Sequence, residues 1–139
     1  IMSKKTFAII KPDAVKNNYV GKIYNHILEN KFKVLSAKLI KMSKFQAEQF
    51  YLVHKDRPFY EELTSFMSSG RCMVLALEKE NAVESWRNVI GATNPEEAKD
   101  GTIRKLYASS LGENAVHGSD SNENAEKEIS FFFCKSELI

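Results

Sequence analysis

A chain of 139 residues has room for one domain with its own core, needing neither disulfides nor a structural metal. With 43% apolar and 27% charged residues it has the profile of a folded globular protein and not of a disordered segment. A formal net charge of +2 argues against the broad basic face of a dedicated nucleic-acid binder, while leaving room for a local basic pocket. No apolar run approaches the ~20 residues that cross a bilayer, and the opening Ile-Met-Ser-Lys-Lys lacks an apolar signal region. A cytoplasmic home is therefore expected, and Ile1, ahead of Met2, reads as a remnant of expression.

Residues 5–11 (Lys-Thr-Phe-Ala-Ile-Ile-Lys) form a short β-favouring run that stops at the polar corner Lys11-Pro12-Asp13, since proline cannot continue a central strand. Over residues 19–30, Val20, Ile23, Tyr24, Ile27 and Leu28 recur at helical spacing, and residues 32–42 then alternate as a strand does. Ser43 is an expected N-cap for a helix whose pattern breaks at Arg57-Pro58, and residues 59–67 make a second helical piece ending near Gly70. Residues 72–77 are continuously apolar, as in a strand buried on both faces, and residues 81–89 return to helix. Residues 91–112 are irregular apart from a turn of helix around 102–107, which makes them a functional-loop candidate. Residues 114–117 are the sole candidate for a fourth strand. From Ser121 a last helix places Ala125, Ile129, Phe132 and Phe133 on one core-facing stripe.

That order predicts an α+β fold, an α/β sandwich of ferredoxin-like βαββαβ form with a four-stranded antiparallel sheet covered by helices. One domain spanning residues 1–139 is expected, with no linker or repeat to divide it. Cys72 and Cys134 are too few for a disulfide framework, and both are expected to be small buried hydrophobes.

A lone histidine seldom carries chemistry, so His117 must be judged by its neighbours. It sits between a short apolar segment and a helix start, beside Gly118, which permits a close backbone turn, and Ser119, Asp120 and Ser121, which offer capping oxygens. Glu128 lies on the following helix within reach of an imidazole at that helix's entrance, where a carboxylate would fix the tautomer and leave the other ring nitrogen as nucleophile. By spacing alone Glu128 is more often an ordinary solvated glutamate. His26 and His54 fit surface or packing roles. There is no His-x-x-x-His, no Cys-x-x-Cys and no Gly-x-x-x-x-Gly-Lys-Ser/Thr, which argues against structural zinc and a Walker loop. Any triphosphate must then be held by side chains, for which Lys11, Arg87 and Arg104 are available, though each taken singly is more often a surface charge.

The run Asn114-Ala-Val-His117-Gly118-Ser119-Asp120-Ser121 resembles the active-site signature Asn-x-x-His-Gly-Ser-Asp of nucleoside diphosphate kinases. Thr6-Phe-Ala-Ile-Ile-Lys-Pro-Asp-Ala-Val, Lys55-Asp-Arg-Pro-Phe-Tyr, Gly91-Ala-Thr-Asn-Pro and Gly101-Thr-Ile-Arg extend the resemblance along nearly the whole chain, in the family's order. The resemblance implies a phosphorylated His117 oriented by Glu128 and Ser119. It also implies that Lys11, Tyr51, Arg87, Thr93, Arg104 and Asn114 contact phosphates and ribose, with Lys11 and Asn114 near the sugar 3′-hydroxyl. Phe59 would stack on the base and Leu111 would close its other side, so purines and pyrimidines would both be accepted. It implies ping-pong transfer of a terminal phosphate from a nucleoside triphosphate such as ATP or GTP to a diphosphate. Mg2+ would enter with the nucleotide and touch Asp120 through water, with no direct protein ligand. A homo-oligomer, hexamer or tetramer, is implied too, with a chain end like that of the short bacterial form. Two rival readings are a non-catalytic nucleotide or DNA binder of the same fold, and an RNA-binding module on a similar sheet. The first is disfavoured by the intact His117, Glu128 and Lys11, the second by aliphatic strand faces.

Overall fold

Alternation along the first strand sets the architecture. In β1 (Lys5–Ile10) the four residues Phe7, Ala8, Ile9 and Ile10 are fully buried, so the strand must be covered on both faces. Phe7 and Ile9 join one core with Leu35, Val74, Ala76, Ile129 and Phe133, while Ala8 and Ile10 join the other with Ile23, Ile27, Leu75, Leu77 and Trp86. That is the period-2 geometry of a strand between two helical layers.

The computed structural model describes residues 4–139, and the reading of Ile1 falls outside them. After β1 come α1 (Pro12–Lys16), α2 (Val20–Glu29), β2 (Lys33–Lys41), α3 (Lys44–Phe50), α4 (Tyr60–Met67), β3 (Arg71–Glu78), α5 (Ala82–Ile90), α6 (Ile103–Tyr107), β4 (Val116–Gly118) and α7 (Asn122–Phe132), with single 3-10 turns at Leu52–His54, Pro95–Glu97 and Lys135–Glu137. The four strands lie in the order β2-β3-β1-β4, every pair antiparallel. This is the expected ferredoxin-like α+β sandwich.

Local chemistry explains most boundaries. Ser43 closes a capping box on α3, its hydroxyl accepting from the Gln46 N–H while the Gln46 side chain accepts from the Ser43 N–H. Ser121 caps α7 by accepting from the Asn124 N–H at 3.1 Å. Three expectations need adjustment. The helix after Ser43 ends at Phe50 and continues as a 3-10 turn, so it stops well before Arg57-Pro58. Lys11-Pro12-Asp13 is a corner that also opens a five-residue helix, with Pro12 at its first position, where a missing N–H costs nothing. Cys134 is exposed and not buried, because α7 ends at Phe132, Phe133 turns extended into the core, and the next residue leaves it. Cys72 is buried as expected, and burial pushes its thiol up to about 12.

Candidate active site

The sheet register decides where His117 points. In β4 it pairs with Ile9 of β1, and paired residues share a face, so His117 faces the layer that holds α3 and α7. There its Nε2 lies 2.8 Å from Glu128 Oε1, and the Ser119 hydroxyl donates to the same oxygen at 2.8 Å. A carboxylate can only accept, so Nε2 carries the ring's proton and Nδ1 keeps the lone pair. Phe7, Phe50 and Tyr51 surround the imidazole with ring centroids 6.1, 5.6 and 6.2 Å away. The Trp86 indole N–H donates to the His117 carbonyl at 3.2 Å, fixing the backbone as Glu128 fixes the ring.

Gly118 is required by this packing. A Cβ there would stand 2.7 Å from Trp86 Cδ1, so closeness to the indole, more than freedom to turn, excludes a side chain. The turn falls three residues earlier, at Ala115, whose φ of +71° is rare for a residue with a Cβ. Its two neighbours close a three-residue turn, the Val116 N–H donating to the Asn114 carbonyl at 2.8 Å.

A cationic group gathers beside this strand. Lys11, at the end of β1, is buried and donates from Nζ to Asn114 Oδ1 at 2.9 Å, while the Asn114 amide donates to the Thr93 carbonyl at 3.3 Å. Arg104, buried on α6, donates to the carbonyls of Gly91 at 3.0 Å and Val116 at 2.9 Å. Burial, then the nearby Arg104 charge, brings the Lys11 ammonium down to about 8 against a weaker pull from Asp13. Burial, then Arg87, brings the Arg104 guanidinium down to about 10. The Arg104 charge acts on Lys11 and the Arg87 charge on Arg104, and none of the three takes part in an ion pair among the described residues, so the group is suited to an added anion.

Two cavities adjoin the group. One of about 640 Å³ is lined by Lys11, Tyr51, Phe59, Thr93, Leu111 and Asn114, and by Glu62 and Glu113. Phe59 and Leu111 are 46% and 59% exposed, which suits apolar groups that meet a planar ring. The other, of about 760 Å³, holds Arg87, Thr93, Arg104 and Asp120. Thr93 belongs to both. His117, Ser119 and Glu128 line neither, and the histidine meets the first cavity through its ring contact with Tyr51. Asp120 also accepts from the Asn124 side chain at 2.6 Å. The Tyr51 hydroxyl and Arg104 Nε are buried with no hydrogen-bond partner among the described residues, and burial raises the Tyr51 hydroxyl well above its ordinary range. His26 is half-buried on α2, and His54 packs against Phe59 with centroids 5.4 Å apart; neither lines either cavity. Sequence reasoning gave no part to Trp86, which carries no motif, nor to Asp13, which stands in the Lys-Pro-Asp corner but whose partner Ala115 lies 102 residues away.

The family model for nucleoside diphosphate kinase matches residues 4–138. The chain belongs to the nucleoside diphosphate kinase family. Among its curated relatives, the nucleoside diphosphate kinase of Persephonella marina is 54% identical over 136 residues, 98% of this chain and 97% of that one. Among solved structures, the Aquifex aeolicus nucleoside diphosphate kinase superposes with a TM-score of 0.96 at 38% identity, covering 98% of this chain and 99% of that one. The Halobacterium salinarum nucleoside diphosphate kinase, solved in complex with CDP, gives 0.93 at 34% identity over 98% of this chain and 91% of that one. The function of the family is phosphate transfer between nucleotides, and it makes this chain a transferase acting on nucleotide substrates. Such kinases need a divalent metal. Among the described residues no group of three or more His, Cys, Asp or Glu could hold a metal ion, and no helix is long and apolar enough to cross a membrane.

Proposed function

We propose that the terminal phosphate passes through His117, and that the family's reaction runs here as a two-step exchange at one site. In the first step Nδ1 attacks the γ-phosphorus of a nucleoside triphosphate; the bond to the β-bridging oxygen breaks, and the diphosphate leaves. In the second, a β-phosphate oxygen of another diphosphate attacks the phosphorus, and the P–N bond breaks. The observation that carries this reading is the 2.8 Å contact of Nε2 with Glu128 Oε1, which assigns the lone pair to Nδ1. Glu128 also stabilises the positive charge that develops on the ring, and Ser119, bonded to the same oxygen, holds the carboxylate in place.

Lys11, Arg87 and Arg104 are assigned to the phosphates, Asn114 and Lys11 to the sugar hydroxyls, and Thr93 and Tyr51 to the junction between them. Phe59 and Leu111 are assigned to the two faces of the base. Contacts with ring faces make no use of the base edges, so purine and pyrimidine nucleotides both fit. The donor set suits a Mg2+ carried in by the nucleotide, for which Asp120, in the cavity with Arg87 and Arg104, would be the carboxylate at hand, acting through water. When bound it supplies charge neutralisation on the phosphate oxygens. A single domain over the whole chain, a homo-oligomer, hexamer or tetramer, and action in the cytoplasm complete the reading, supported by the match of the family model over residues 4–138.

Incubation with ATP and Mg2+ without acceptor tests it. We expect a phosphoprotein stable to base and lost in acid, and no label on the His117→Ala variant. Label that persists on that variant refutes the assignment.

A further inference from the structure

We propose that Asp13 is a positioning residue, whose carboxylate holds the turn before β4 and through it sets Asn114 and His117 for phosphate transfer. This rests on the reading of His117 as the phosphate carrier.

Ala115 is fully buried and stands at φ +71°, a conformation that a residue with a Cβ keeps only when its surroundings enforce it. Lys11 and Asp13 supply the enforcement. The Lys11 backbone N–H donates to the Ala115 carbonyl at 2.8 Å, and the Ala115 N–H donates to Asp13 Oδ2 at 3.0 Å. Both backbone polar groups of one strained residue are therefore gripped by the corner that follows β1, 102 residues away in sequence for the Asp13 contact. The residue before the strained one is Asn114, bonded to Lys11 Nζ; the second residue after it is His117.

Asp13 is itself buried, 7% exposed, and desolvation raises its carboxyl above the ordinary range while the Ala14 N–H, then the Ala115 N–H and the Lys11 charge, act the other way. A carboxylate kept in such a place has a cost that packing alone does not explain. Removing it leaves the buried Ala115 N–H without an acceptor and frees the residue to relax toward negative φ. That would swing the Asn114 side chain and pull Val116 out of register with Ile10, and His117 with it.

Glycine adopts positive φ without enforcement, which gives a specific test. Four proteins are compared well below their unfolding temperatures: the unaltered chain, Asp13→Ala, Asp13→Asn, and Asp13→Ala with Ala115→Gly. For each, the rate of labelling by ATP and Mg2+ is taken per folded molecule, and hydrogen exchange is followed at residue 115. Asp13→Ala is expected to slow labelling about tenfold or more and to deprotect the residue 115 amide. Asp13→Asn, whose amide oxygen still accepts, is expected to stay within about threefold. Adding Ala115→Gly to Asp13→Ala is expected to restore most of the rate, or to restore folding if Asp13→Ala does not fold. A role confined to the first turn of α1 gives no such rescue. Labelling unchanged in Asp13→Ala, or a double variant no better than the single one, overturns the proposal. If the unaltered chain takes no label, the phosphate-carrier reading fails, and exchange at residue 115 still decides whether Asp13 holds the turn.

Discussion

Lys11 gives the sharpest quantitative expectation. Burial and the Arg104 charge bring its ammonium from an ordinary 10.5 to about 8, a difference worth about 3 kcal/mol against holding the charge in the free protein. Above pH 8 the free protein therefore loses the cation proposed to meet the phosphates. The value of kcat/KM for a nucleoside triphosphate, which reports the free form, is expected to fall about tenfold for each further pH unit. A bound nucleotide brings negative charge to Nζ and holds its proton, so kcat should stay level to higher pH. Lys11→Arg, charged at every accessible pH, should lose the alkaline limb even if its maximum is lower. The sign for stability is opposite to that for activity. The unfolded chain keeps the lysine proton up to 10.5 and the folded chain only to about 8, so between these values the unfolded state binds more protons, and stability rises with pH by at most about 3 kcal/mol. In Lys11→Met that rise should be missing. Cys72 and Tyr51 do not compete as the source of the limb, because burial pushes both above their ordinary ranges. Initial rates from pH 6 to 10, with melting curves alongside, check both halves. A kcat/KM that is flat to pH 10, or a limb unchanged in Lys11→Arg, refutes the reasoning.

Phe59→Ala should raise KM about tenfold for purine and pyrimidine nucleotides alike, and because the ring is 46% exposed the melting temperature should hardly move; a rise confined to one base class would contradict stacking. Arg104→Ala should lower kcat by about 10²–10³, and it should also lower the melting temperature, since the Gly91 and Val116 carbonyls lose their donor. Unchanged turnover would remove Arg104 from the transfer step. Gly118→Ala places a methyl 2.7 Å from Trp86 Cδ1, and it should cost about 1–3 kcal/mol, read as a drop of several degrees in a thermal melt. An unshifted melt would show that the indole can give way.

Elements long enough to repeat a pattern were legible before any coordinates. Val20, Ile23, Ile27 and the Ala125–Ile129–Phe133 stripe mark helices through which one face is buried, and the apolar run at Cys72–Leu77 marks a strand covered on both sides. A three-residue strand such as β4 carries no period, and a five-residue helix such as α1 has barely one turn, so each is decided by tertiary partners: Ile9 for the first, Ala115 for the second. Cys134 was misplaced because the Phe-Phe-Phe run before it looks uniformly apolar, whereas only Phe133 of the three is buried. The site divides along the same line. His117, Glu128, Lys11 and Asn114 stand in recognisable motifs, and the resemblance assigned them roles that spacing could not. What the motifs do not record is the support behind them. The positive φ of Ala115, the Trp86 bond to the His117 carbonyl and the buried Asp13 contact are all long-range or conformational, and none leaves a local signature.

The central claim is that the phosphate rests on His117 between two nucleotides, and a chase experiment tests it most directly. The protein is labelled with γ-labelled ATP and Mg2+, freed of nucleotide, and mixed for a single turnover with GDP, CDP or UDP. The account predicts that label leaves His117 and appears in each corresponding triphosphate in equal amount. Label that stays on the protein, or leaves only as free phosphate while steady-state exchange proceeds, would contradict it.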